Sequence, residues 1–125
     1  TKKPSLIYIP HSNDSVPDHQ MTHRLVMEAC RRAAGPWFPE YGPQPWQVET
    51  ILGYEVWTPI QTVGHVEDIS DVMKVKLESL QKHRTQTKYI KYDDAIQGLN
   101  RYRGIMSGKG DYCEYFQLIQ TQYKG

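Results

Sequence analysis

Apolar and polar positions alternate along the chain in blocks that change period. Residues 5–10, Ser-Leu-Ile-Tyr-Ile-Pro, form a short β-branched run closed by proline, which predicts a buried strand. A polar loop from His11 to Val16 follows, and Pro17 opens a helix at the position where its missing N–H costs least. Leu25, Val26, Ala29, Cys30 and Ala33 fall on one stripe, so the helix is expected to run to about Ala34, stopped by Gly35-Pro36. Prolines and aromatic rings crowd the stretch from Gly35 to Trp46, which reads as a loop.

Val48 to Ile60 is rich in β-branched and aromatic residues and predicts a strand interrupted by glycine. Asp68 or Ser70 can cap a second helix with Ile69, Val72, Met73, Leu77 and Leu80 inward. His83 and Arg84 would stand in its last turn, where cations suit the negative end. Asp93 can cap a third helix with Ala95, Ile96, Leu99, Tyr102 and Met106 inward and Gly108 as the stop. Tyr112 to Gln120 closes the order as a strand. Strand, helix, strand, helix, helix, strand suits a layered α/β fold. A chain that opens on a buried-type strand with so few further strands reads as part of a sheet.

Composition narrows the classes. The chain has 125 residues and a formal net charge of +1, which suits one ordinary domain and gives no electrostatic grip on nucleic acid. No run approaches the roughly 20 apolar residues of a membrane span, and no signal-peptide pattern is read. Cys30 and Cys113 are too far apart in sequence for a metal knuckle or a disulfide framework, so a cytoplasmic setting is expected. Leu, Ile, Val and Phe make up about a fifth of the chain, close to the roughly 20% below which chains tend to disorder. The core is therefore thin, and its strand edge is expected to attract other chains. The three tryptophans, Trp37, Trp46 and Trp57, are expected chiefly in the interior, although each ring could stack on a sugar.

Candidate chemistry concentrates in residues 10–23, where His11, His19, His23, Asp14 and Asp18 lie at a strand-to-helix junction. Ligands collect at the carboxyl ends of strands in open α/β sheets, and imidazole and carboxylate are zinc ligands. Asp18, next to His19, could fix which ring nitrogen faces a metal. The same residues also read as helix caps and surface histidines, and the local residues alone leave both readings open.

Several segments together resemble the zinc-dependent N-acetylglucosamine deacetylases, the LmbE or PIG-L family. Val16-Pro-Asp-His19 resembles the family's His-Pro-Asp-His loop. Tyr54 to Ile60, His65 to Ser70, Met73 to Leu80, His83 to Gln86, Gly98 to Gly104 and Tyr112 to Phe116 resemble its later motifs in order. The resemblance implies a Rossmann-like layered fold, of which residues 1–125 would be the C-terminal half. The family's Ala-His-Pro-Asp-Asp metal motif is missing. It further implies a zinc-dependent, or other divalent-metal-dependent, hydrolase that removes acetyl from an N-acetylglucosamine-type sugar or conjugate. In that reading His19 is a metal ligand, Asp18, Tyr92 and His11 belong to the catalytic group, and Asp14 and Trp57 lie on the substrate side. Val16 stands where the family has a catalytic histidine. That departure keeps a second reading alive: a non-catalytic carbohydrate-binding or interaction member of the same fold. The chain alone is expected to be inactive, with a missing N-terminal half or further copies of itself as partners.

Overall fold

The structure, a computed structural model, describes residues 2–122. Two compact units are present: residues 2–65 with 116–122, and residues 66–115. Among the described residues four strands have the order β1-β2-β4-β3, with β1 Leu6–Pro10, β2 Thr50–Tyr54, β3 His65–Asp68 and β4 Cys113–Thr121. The expected α/β class holds, with β3 as a strand that the hydropathy pattern did not announce.

In the first unit β1 runs parallel to β2, Leu6 opposite Thr50 and Pro10 opposite Tyr54. Helix α1, Pro17–Ala33, makes the crossover that parallel strands require. Pro17 holds the preceding Val16 in an extended conformation, as residues before proline are. Asp18 lies in the first turn of α1, and Arg31 and Arg32 lie in the last, each complementing the helix dipole. β2 pairs antiparallel with β4, with a bulge between Ile51 and Leu52.

Ile9, Val48 and Ile51 form the apolar centre, packed by Ile7, Val26, Met27, Cys30 and Ile119. The expected stripe on α1 is thus only half right. Val26 and Cys30 face inward, whereas Leu25 is 62% exposed, because the helix meets one sheet face and leaves its flank open. β1 is the expected buried strand only in part: Ile9 and Pro10 are buried, but among the described residues it is the sheet's edge, and Leu6 and Tyr8 lie on the surface. The second expected strand shrinks to Thr50–Tyr54, and the residues up to Ile60 form a loop held partly by the Glu55 carboxylate, which accepts from the Ile60 amide at 2.7 Å. Trp37 and Trp57 are exposed rather than interior, because both sit on loops beyond the small core.

In the second unit a 3-10 turn, Ser70–Val72, leads into α2, Met73–Gln81. A one-turn helix α3, Arg84–Thr87, and α4, Tyr92–Ser107, follow. Arg84 therefore starts a new helix instead of ending α2. Asp93 lies inside the first turn of α4, and Gly108 closes that helix in the left-handed region at φ 65°, as its C-terminal glycine should. The fully buried residues of α4 are Asn100, Arg103 and Gly104; of the expected apolar face Ile96 and Leu99 are half-buried, while Ala95, Tyr102 and Met106 are exposed. Close packing decides this. A Cβ at Gly104 would lie 2.6 Å from the carbonyl oxygens of Gly110 and Asp111. Among the described residues no helix is long and apolar enough to cross a membrane.

Candidate functional site

The loop between β1 and α1 is organised by one buried carboxylate. Asp14 is 1% exposed. Its Oδ1 accepts from the Val16 amide at 2.9 Å and from His19 Nδ1 at 3.0 Å. Its Oδ2 accepts from the amides of Trp57 at 2.9 Å and Thr58 at 3.1 Å. The bond to Val16 closes a local turn that Asp side chains favour. The other two tie the helix entry to the loop after β2. Burial alone would raise the Asp14 pKa, but the amides of Val16, Thr58 and Trp57 and the His19 ring hold it well below the usual carboxylate range.

His19 is the outlet of this cluster. A carboxylate only accepts, so Nδ1 carries the proton and Nε2 of the neutral ring keeps a bare lone pair. The ring is 28% exposed. The carboxylate that orients it is Asp14, five residues earlier, and not the adjacent Asp18. Asp18 is exposed in the first turn, and its backbone carbonyl accepts from the Thr22 hydroxyl at 2.8 Å.

His11 is buried, and both ring nitrogens are engaged. Nε2 lies 2.6 Å from the Thr58 carbonyl, and Nδ1 accepts from the Asn13 backbone amide at 3.3 Å. Gly53 makes room for it, since a Cβ there would sit 2.9 Å from His11 Cα. Ser12 is clamped by Gln117: its amide donates to Oε1 at 2.9 Å and its hydroxyl accepts from Nε2 at 2.8 Å. Ser15 is held twice by the Thr58 hydroxyl. His23, one turn after His19, donates from Nδ1 to the Pro10 carbonyl at 2.8 Å.

Of the residues singled out from sequence, His11, Asp14, His19 and the backbone of Trp57 come together here. The Trp57 ring is exposed, and its amide is what meets Asp14. Tyr92 is the first residue of α4, in the second unit. Thr58, Gln117 and Gly53 were missed. Thr58 and Gln117 act through contacts 43 to 105 residues away in sequence, and only the glycine inside a β-branched run hinted at a close approach.

A metal fits this arrangement at one ligand. His19 has the oriented, partly exposed ring of a metal-binding histidine, with a carboxylate behind it. Among the described residues no three His, Cys, Asp or Glu side chains gather into a metal cage.

No protein-family model matches the chain. Solved structures do match. The conserved protein TT1542 from Thermus thermophilus superimposes with a TM-score of 0.83 at 24% identity, over 98% of this chain and 54% of that one. The N,N'-diacetylchitobiose deacetylase from Pyrococcus horikoshii, solved with its inhibitor MPG, gives 0.76 at 22% identity, over 98% and 50%. This chain has the deacetylase's fold. The 4-carboxy-2-hydroxymuconate hydratase GalB from Pseudomonas putida KT2440 gives 0.72 at 18% identity, over 98% and 55%, so the same fold also occurs in a hydratase. At these identities the likeness establishes fold, and fold serves many chemistries. The chain spans about half the length of each of these proteins.

Proposed function

We propose that this chain supplies the His19 side of a zinc-dependent deacetylase that acts on an N-acetylglucosamine-type sugar or conjugate. The observation that carries the reading is the His19–Asp14 pair. A ligand histidine needs a fixed tautomer, and a buried acceptor behind Nδ1 gives it one. The fold shared with a chitobiose deacetylase supports the choice of chemistry. Zinc in such a site polarises an acyl carbonyl and lowers the pKa of bound water. On the chain's own side, Asp14 positions His19, and His11, saturated by Thr58 and Asn13, shapes the loop around it. Asp18, exposed beside His19, and Tyr92 are the remaining candidates for contact with reacting groups, and the Trp57 ring is a candidate platform for a sugar. The further metal ligands come from the complementary half of the domain, carried as an N-terminal segment or by a partner. Zinc should therefore bind this chain weakly, and the chain alone should release no acetate.

A zinc titration followed through histidine ring resonances tests the ligand assignment. His19 should respond first, the response should vanish in His19→Ala, and it should weaken about 10- to 100-fold in Asp14→Asn, as for orienting partners of metal ligands. Equal responses at His65 and His83 would defeat the assignment.

Val16 supports a second reading, a non-catalytic sugar-binding member of the fold. Valine can neither donate a proton nor stabilise an oxyanion, whereas a placed acid or base contributes about 10²–10⁴ in rate. Acetate release by the chain together with its complementary half separates the readings. Under the deacetylase reading Val16→His raises a slow rate by about 10-fold or more. A brisk wild-type rate lowered by Val16→His would mean a different site design, and no rate in either protein would favour the binding module.

A further inference from the structure

Beside the His19–Asp14 pair lies an open polar cleft of about 390 Å³, lined by Ser12, Asn13, Asp14, Ser15, Gln20, His23 and Arg24. That volume falls within the roughly 300–1,000 Å³ of small-molecule sites. The side chains around it are mostly donors with capacity to spare. The Ser12 hydroxyl accepts from Gln117 and the Ser15 hydroxyl accepts from Thr58, so each still has its own proton to donate. The Asn13 side-chain amide and the Arg24 guanidinium have no partner among the described residues. Glu28, one turn beyond Arg24 and its natural helical mate, is taken by Arg31 at 2.8 Å and Arg32 at 2.6 Å. The Asp14 carboxylate is buried and saturated by three amides and an imidazole. A cleft with spare donors and an unpaired guanidinium favours an anion, and guanidinium favours planar or tetrahedral oxyanions.

On α1, His19 and His23 share one stripe, and Gln20 and Arg24 share the next, roughly 100° around. A ligand in the cleft would thus lie alongside the ring that presents Nε2.

We infer that this cleft binds an oxyanion, a carboxylate or a phosphate, carried on a hydroxylated small molecule, with Arg24 as its cation and Asn13, Ser12 and Ser15 as its hydrogen-bond donors. As a site for the charged end of the deacetylase substrate it rests on the function proposed above. As an anion site it stands without it, and its test needs neither metal nor turnover.

The test is a titration of the metal-free protein with glucose 6-phosphate, glucuronate and glucose, read through the Arg24 Nε–H and Asn13 side-chain amide resonances. At least one anion should shift both signals while glucose shifts neither, and the tighter anion identifies the oxyanion. Binding should fall as salt rises. Arg24→Gln should weaken it by about 10-fold or more, the scale of one lost charge-assisted contact, and Arg24→Lys by less. Circular dichroism should show all three proteins equally folded, since Arg24 is exposed. Equal shifts with glucose, no shift with either anion, or unchanged affinity in Arg24→Gln would overturn the proposal. Loss of the His19 zinc response with anion binding intact would instead sink only the deacetylase reading.

Discussion

Two buried polar clusters, one in each unit, are built from similar parts and end differently. In the second unit Asn100, 3% exposed, donates to the Cys113 carbonyl at 2.9 Å and accepts from Lys76 at 2.8 Å, and Lys76 also pairs with Glu114. Nearby, the Ser70 hydroxyl donates to Asp68 and accepts from the amides of Asp111 and Tyr112. These bonds run from one element of the unit to another, and those of Asn100 end on the Lys76–Glu114 pair, whose side chains are about as exposed as the His19 ring but spend their charges on each other. In the first unit Asp14 gathers four bonds, yet the chain of contacts ends on a partly exposed ring whose second nitrogen is unspent. A buried polar group costs free energy unless it is paired, so both clusters must be satisfied inside. Only the one that leaves a group at its outer end can act on anything else. Burial and hydrogen bonding alone do not mark a site. The direction in which a network is left open does.

The sharpest way to break this contrast is Asp14→Ala. It strands three amides and the His19 Nδ1–H, and should cost about 3–5 kcal/mol in a denaturant melt, the scale of a broken buried charge cluster. Acid probes the same carboxylate. Its pKa is depressed in the folded state, so its stabilisation is fully present above the unfolded value, about 3.9, and is lost as pH falls towards the folded one. Wild-type stability should therefore drop from about pH 5 downward. Asp14→Asn should flatten that drop; equal slopes in the two proteins would show that other carboxylates carry it.

Asn100→Ala should cost less, about 1–3 kcal/mol, and should leave the zinc response of His19 untouched. A changed response would mean that the closed cluster is not closed. The smallest effect on stability belongs to His19→Ala, about 1 kcal/mol for one hydrogen bond, because Asp14 keeps its three amides. Yet that variant should abolish the zinc response altogether. A large loss of stability here would make His19 a structural residue like Asn100.

Local chemistry made much of this legible. Pro17, Gly35-Pro36 and Gly108 act on their own neighbours, and the helix limits they predict match α1 and the end of α4. Faces were harder to read, because burial depends on what packs opposite. Leu25 and Tyr102 sit on good helical stripes and still face water, while Asn100 turns inward to the Cys113 carbonyl and Arg103 packs over the Tyr115 ring. The site was legible as a cluster of residue types. That Asp14 rather than Asp18 would hold His19 could not be read, because it depends on how the loop after β2 returns to the helix entry. Thr58 and Gln117 carried no local signal at all, being ordinary polar residues until the sheet aligns them.

The spans of these contacts also give the site a timetable. Asp14 waits for amides 43 and 44 residues further along, and Ser12 waits for Gln117, 105 residues away. During synthesis α1 can coil as soon as it emerges, since its bonds are local, but closing such long loops is slow and entropically costly. His19 is therefore made before it is aimed. An emerging chain that lacks the loop after β2 would carry the histidine while Asp14 still lacks two of its amides, and one that lacks β4 would leave Ser12 without its clamp.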